Sequence, residues 1–154
     1  MLDLSSGRIY LADESSPDQV PSGWKVIDSK ASQPARVKVL VVDDQKLIAD
    51  TITDILTDAG FHAIAAYDGG SALKAAERFE PDYLLCDVLM PRMNGVQVAI
   101  AIRIAHPAAK ILLFSGQSGT AEILQEGRDK GYEFELLAKP IHPLKLIERL
   151  KEQK

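Results

Sequence analysis

Along most of the chain, short apolar runs alternate with amphipathic stretches, so the hydrophobic period switches back and forth between strand and helix. Val37-Lys38-Val39-Leu40-Val41-Val42 is nearly continuous and β-branched, as a parallel strand covered on both faces requires. Gln45 to Ala59 places Leu47, Ile48, Ile52, Ile55 and Leu56 at helical spacing, which predicts a helix with those residues inward and Gly60 as its stop. His62-Ala63-Ile64-Ala65-Ala66 reads as a second strand. Ser71 to Phe79 reads as a small-residue helix ended by Pro81. A third strand, Tyr83-Leu84-Leu85-Cys86, empties into Asp87-Val88-Leu89-Met90-Pro91-Arg92-Met93-Asn94-Gly95, and a helix from about Val96 to Ala105 follows. Lys110-Ile111-Leu112-Leu113-Phe114 is the fourth strand, with a helix from about Thr120 to Lys130. Phe134-Glu135-Leu136-Leu137-Ala138 is the fifth, followed by a helix that starts at Pro143 and turns Leu144, Ile147 and Leu150 inward. Five βα units in strict alternation predict an α/β fold: a doubly wound, five-stranded parallel sheet with right-handed crossovers and helices on both faces.

Residues 1–35 differ. They are rich in Ser, Asp, Pro and Gly, with Ser15-Ser16-Pro17 and Pro21-Ser22-Gly23 as breakers. Two short strand-like pieces interrupt them, Arg8-Ile9-Tyr10-Leu11 and Trp24-Lys25-Val26-Ile27. So short a segment builds no core of its own without help. An arm packed on the domain, a homodimer contact and disorder all stay open, and the regular domain is expected over residues 36–154. One helix's worth of residues follows Lys139, so no output domain is expected after it.

Composition narrows the function classes. A net charge of −4 gives no support to a nucleic-acid or membrane-surface partner, and 6% aromatics are too sparse for a single-strand-binding surface. The lone Cys86 excludes an internal disulfide and favours a cytoplasmic setting, where it reads as a small buried hydrophobe. Met1-Leu2-Asp3-Leu4 has neither a basic region nor a long apolar segment, so no signal peptide or membrane span is expected there.

Chemistry gathers at one kind of place. Four of the five predicted strands end in a polar or ionisable group: Asp43-Asp44, Asp87, Ser115 and Lys139. Ligands of open α/β sheets collect outside the carboxyl ends of strands, and in the common doubly wound order 2-1-3-4-5 strands one and three are neighbours at the switch point. That order would bring Asp44 and Asp87 together. Crowded carboxylates repel unless a cation neutralises them, and hard oxygen ligands suit Mg²⁺. Lysine is a point charge for an anionic oxygen, and a serine hydroxyl can donate to another. A carboxylate nucleophile, a divalent metal, a lysine and a hydroxyl together describe phosphoryl transfer onto aspartate. Each member alone has an ordinary structural explanation. Asp43-Asp44 could cap a helix, Ser115-Gly116 could end a strand in a turn, and Lys139-Pro140 could be a solvated lysine before a turn. Their conjunction at carboxyl ends only, in a chemically complete set, favours the functional reading.

With those residues in view, 37–152 resembles the receiver domain of two-component response regulators, the flavodoxin-like receiver fold. The matching features are Asp43-Asp44 after strand one, Asp87-x-x-Met90-Pro91-x-Met93-x-Gly95 after strand three, Ser115 after strand four and Lys139-Pro140 after strand five. The resemblance implies that Asp87 accepts a phosphoryl group from a phosphohistidine on a sensor histidine kinase or phosphotransfer protein. It implies Mg²⁺ as cofactor, with Asp44 as a direct ligand, Asp43 acting chiefly through water, and Asp87 and the Leu89 carbonyl completing the set. Lys139, its bond to Pro140 often cis in the family, would hold a phosphoryl oxygen, and Ser115 would hydrogen-bond the group and draw its loop inward. Gly116 and Gly119 would give that loop freedom to move. The output would be a shifted surface of the fourth helix, fifth strand and last helix, which binds a downstream protein. Such a chain assists its own phosphorylation and dephosphorylation but is no independent enzyme.

Two departures from the family pattern matter, one at Leu136 and one at the pair Leu89 and Gln117. Leu136 stands where receivers usually carry a switch aromatic, and Leu89 and Gln117 occupy positions that tend to set phosphoryl lifetime. Three rivals are weaker. A phosphatase with an aspartyl nucleophile generally wants a second acid at position 89; a receiver-like interaction module that is never phosphorylated is at odds with the intact acid set; a DNA-binding regulator would need a further domain. His62, His106 and His142 lack ligand spacing. Met90 and Met93 read as packing, and Lys145, Arg149, Lys151 and Lys154 as a solvated basic helix end. Leu89 is expected to hinder attacking water, so Leu89→Asn should shorten the phosphoryl lifetime measured by intact mass. An unchanged or longer lifetime contradicts this.

Overall fold

In the computed structural model, which describes residues 8–9, 27–28, 35–116 and 119–152, five strands form one parallel sheet. They are β1 Lys38–Val42, β2 His62–Ala66, β3 Tyr83–Asp87, β4 Lys110–Ser115 and β5 Glu135–Ala138. Their spatial order is β2-β1-β3-β4-β5, the expected 2-1-3-4-5. The helices are α1 Lys46–Asp58, α2 Gly69–Phe79, α3 Gly95–Ala105, α4 Ala121–Asp129 and α5 Pro143–Lys151. The chain divides into two units, Met1–Ala35 and Arg36–Lys154. In the first, Arg8–Ile9 pairs antiparallel with Ile27–Asp28; the rest of the strand-like pieces expected there lies outside the described residues.

Strand alternation sorts the core into two layers. Leu40, Val42, Leu84, Cys86, Ile111 and Leu113 face one side, against Ala72 and Ala76 of α2 and Val98, Ala99 and Ile102 of α3. Val39, Val41, Tyr83, Leu85, Leu112 and Phe114 face the other, against Ala49, Ile52 and Leu56 of α1 and Leu146 and Leu150 of α5. Strand β3 is buried along its whole length, as the central strand of such a sheet must be.

Several local expectations shift. Helix α2 begins at Gly69 rather than Ser71, because the Asp68 carboxylate accepts the Ser71 backbone N–H at 2.7 Å and its hydroxyl at 3.0 Å. Leu47 is 79% exposed: the inward stripe of α1 runs Ala49, Ile52, Leu56, and Leu47 falls off it. Leu144 is 66% exposed for the same reason, since Leu146 and Leu150 carry the inward stripe of α5 and a two-residue offset is about 200° of helix. Arg149 is not a solvated helix end. It forms a bidentate ion pair with Glu135 of β5 and lies 3.5 Å from the Tyr83 hydroxyl. Lys154 lies outside the described residues. Among the described residues no helix is long and apolar enough to cross a membrane.

The Arg149 pair has a pH signature. Hydrogen bonding from Arg149 holds the Glu135 carboxyl below its ordinary 4.5, so the pair's contribution is present above that value and lost as pH falls through the lowered one. Because both side chains stay partly solvated, the contribution is about 0.5–1 kcal/mol. Glu135→Gln should lower stability by that amount in urea melts at neutral pH, and the gap should close below pH 4.5.

Candidate functional site

Sheet register places the acids. Val42 pairs with Cys86, so Asp43 and Asp87 leave adjacent strands side by side. Asp43, Asp44 and Asp87 offer carboxylate oxygens all within 4.8 Å of one another, the one such acid cluster among the described residues. Strand β5 brings Lys139 to the same edge. Its Nζ lies 3.2 Å from Asp87 Oδ2 and 3.6 Å from Asp43 Oδ2, and 5.0 Å from the centre of the Phe114 ring beneath it. Asp87, Ser115, Lys139 and the loop residue Leu89 line a polar cleft of about 210 Å³, together with Asp44 and Thr120. The histidines stand outside the acid cluster, and His62 lies edge-on to Phe79.

Local backbone chemistry fixes the loop after Asp87. The Gly95 N–H donates to the Val88 carbonyl at 2.8 Å, and a Cβ on Gly95 would lie 2.2 Å from the Asp87 carbonyl oxygen, so only glycine fits. Arg92 adopts φ +68°, and the Met93 N–H turns back to the Pro91 carbonyl at 2.7 Å. Asn94 and Gln97 form a reciprocal capping box at the start of α3. Met93 then packs against Gly69, and Met90 is buried.

Among the described residues after β4, Gly116 has a role beyond the expected freedom. Gly119 takes φ +101°, but Gly116 serves as a close approach: a Cβ there would lie 2.4 Å from Lys139 Cβ. The Lys139 N–H donates to the Ser115 carbonyl at 3.2 Å, and the Lys139-Pro140 peptide is cis. Gln117 lies outside the described residues. Sequence reasoning missed Thr120 as a site residue. It is 8% exposed, and its Oγ1 accepts from Ser115 Oγ at 2.9 Å. A threonine at a helix start reads as a cap, which hid this contact.

The electrostatics leave the acids short of positive charge. Burial raises the Asp43 pKa above its ordinary value, and the Asp87 and Asp44 charges add to that, while the Gln45 N–H bond and Lys139 oppose it. Asp87 is also raised, chiefly by burial, against the pull of Lys139 and of the Leu89 N–H. Asp43 is fully buried, and its Oδ2 has no hydrogen-bond partner. One lysine among three acids, with a buried oxygen that accepts no hydrogen bond, is a donor set that fits a hard divalent cation such as Mg²⁺. A larger groove of about 390 Å³ lies beside the cleft, but it is lined by apolar groups such as Leu47, Ile48, Ile52 and Ile141 and holds no comparable chemistry.

A parallel 2-1-3-4-5 sheet with an acid trio, a lysine and a hydroxyl at its switch point defines a receiver-type site. The family model for the response regulator receiver domain matches residues 39–151. The chain belongs to that family. Its similarity extends to the DNA-binding response regulator MtrA of Mycolicibacterium smegmatis (31% identical over 116 residues, 75% of this chain and 50% of that protein). It extends also to the regulatory protein VanRc of Enterococcus gallinarum (34% over 118 residues, 75% of this chain and 49% of that protein). The chain thus spans about half the length of the curated relatives it matches. Among solved structures, the chemotaxis response regulator CheY4 of Vibrio cholerae superimposes with a TM-score of 0.65 at 33% identity, covering 76% of this chain and 98% of that one. The receiver domain of NtrX from Brucella abortus does so at 0.63 and 29%, covering 73% and 94%.

Buried acids whose pKa values are raised mark a cost in folding, and that cost can be checked directly. Asp43→Asn keeps an oxygen to accept the Gln45 N–H, 2.9 Å away in the native protein, while removing a buried charge. In chelator it should raise stability by on the order of 1 kcal/mol, and it should remove most of the thermal shift that added Mg²⁺ gives the native protein. Both are read by thermal melts.

Proposed function

We propose that this receiver is a phosphorylation switch whose acceptor is Asp87 and whose donor is a phosphohistidine on a sensor kinase or phosphotransfer protein. The observation that supports it is the meeting of Asp43, Asp44 and Asp87 oxygens within 4.8 Å with Lys139 at 3.2 Å from Asp87, all at one sheet edge. An Asp87 oxygen attacks phosphorus in line, the new O–P bond forms as the P–N bond breaks, and the imidazole nitrogen leaves with the electron pair. Asp43, Asp44, Asp87 and the Leu89 carbonyl would hold Mg²⁺, which supplies neutralising charge for the phosphoryl oxygens. Lys139 is placed to take one of those oxygens, and the Ser115 hydroxyl another.

Water later attacks the aspartyl phosphate, the O–P bond breaks, and inorganic phosphate leaves the Asp87 carboxylate free, so the chain turns over its own phosphoryl group and no separate substrate. Output then runs through protein contacts, in the cytoplasm. MtrA is named a DNA-binding regulator, whereas the net charge of −4 here favours a protein partner over nucleic acid for this chain.

Incubation with a small phosphodonor and Mg²⁺ should add one phosphoryl group to the native protein by intact mass, and none to Asp87→Asn. Adduct on both proteins would move the acceptor elsewhere. Adduct on neither would favour an interaction module that is never phosphorylated, the reading to which the absence of an aromatic at Leu136 lends some weight.

A further inference from the structure

We propose that Thr120 is a positioning residue that latches the Ser115 hydroxyl in the unphosphorylated protein and so sets how readily the site accepts and keeps a phosphoryl group. The inference rests on phosphorylation at Asp87. It begins with an anomaly at a helix end. Threonine at the start of α4 would ordinarily turn its hydroxyl to a backbone N–H of the first turn. Thr120 does not: its backbone is helical (φ −86°, ψ −17°), and its side chain makes no cap bond. Its Oγ1 instead accepts from Ser115 Oγ at 2.9 Å, the residue is buried, and it lines the same polar cleft as Asp87 and Lys139.

The consequence follows from counting protons. A serine hydroxyl has one proton to donate. In the unphosphorylated protein Ser115 gives it to Thr120; bonding a phosphoryl oxygen requires giving that bond up or reversing it. The Thr120 acceptor therefore competes with the phosphoryl group for a single donor, and it weights the equilibrium toward the unphosphorylated arrangement. The place of Ser115 makes the competition matter to the rest of the edge. Its carbonyl accepts the Lys139 N–H at 3.2 Å, and Gly116 beside it abuts the Lys139 side chain. A shift of Ser115 thus reaches the lysine that holds Asp87.

Removing the acceptor while keeping the shape tests this. Thr120→Val should raise the affinity for beryllofluoride, a phosphoryl mimic read by ¹⁹F NMR in the presence of Mg²⁺, and lengthen the phosphoryl lifetime, each by roughly two- to tenfold. Thr120→Ser, which keeps the hydroxyl, should behave as the native protein. In a Ser115→Ala background Thr120→Val should change neither quantity, because the donor it contends for is gone. Thr120→Ala guards against a packing defect peculiar to valine and should shift both readouts in the same direction. With native binding intact, equal or weaker binding by Thr120→Val overturns the latch, as does an effect that persists without Ser115. Failure of the native protein to bind beryllofluoride or to gain a phosphoryl group overturns phosphorylation at Asp87 itself, and the latch with it.

Discussion

Two buried carboxylates forced side by side are the constraint on which this domain turns. Once Val42 is opposite Cys86 in a parallel pair, Asp43 and Asp87 emerge together at the sheet edge. The sheet tolerates the repulsion because of what lies below it. Leu40, Leu84, Leu85, Leu112 and Phe114 are fully buried, and each such side chain contributes roughly 1.5–3 kcal/mol. A penalty of a few kcal/mol at the rim is outweighed by the core beneath. Lys139 answers only part of it, and both acids stay less acidic than free aspartate, through burial first and then through neighbouring aspartate charge, Asp87 and Asp44 acting on Asp43 and Asp44 acting on Asp87. Hydrophobic burial thus holds in place an electrostatic imbalance that positive charge can relieve.

That imbalance sits between two differently built loop ends. On one side, the turn after Asp87 is fixed by the close approach of Gly95, the Asn94–Gln97 capping box and Met93 packed on Gly69. On the other, Ser115, Gly116, Thr120 and Lys139 form a small set of contacts between the ends of β4 and β5. Asp87 leads into the first of these, while Ser115, Thr120 and Lys139 belong to the second, joined by the Ser115–Thr120 hydroxyl bond and by the Lys139 N–H to the Ser115 carbonyl. Arg149 extends this second part, since its pair with Glu135 ties α5 to β5 and its approach to Tyr83 reaches the central strand.

Much of this was legible in the sequence, for identifiable reasons. The run Val37–Val42 and the stretch before Asp87 were long enough in one period to announce buried strands, and parallel order followed from strict alternation. Asp43, Asp44, Asp87, Ser115 and Lys139 were legible because each ends a strand, and strand ends of one polarity share an edge. Helix faces were less so. Leu47 and Leu144 are apolar yet exposed, because apolar identity alone does not say which of two neighbouring stripes points inward. The start of α2 at Gly69 hid behind two glycines that discourage a helix, until the Asp68 cap is counted. Arg149 and Thr120 were missed for a shared reason. Their partners, Glu135 and Ser115, are set by tertiary placement of side chains, and the local sequence offers each residue a plausible humbler duty.

Cys86 shows how completely the middle of the sheet is sealed. Its thiol lies at 0% exposure, 3.4 Å from the carbonyl oxygen of Asp87, and burial pushes its pKa well above that of a free thiol. A neutral, enclosed sulfur is inert to alkylating reagents and mild oxidants, since these need the thiolate and an open path to it. It is also the only sulfhydryl in the chain. The protein therefore carries an internal gauge of its own breathing: modification of that one atom proceeds only as fast as the central strand parts from its neighbours.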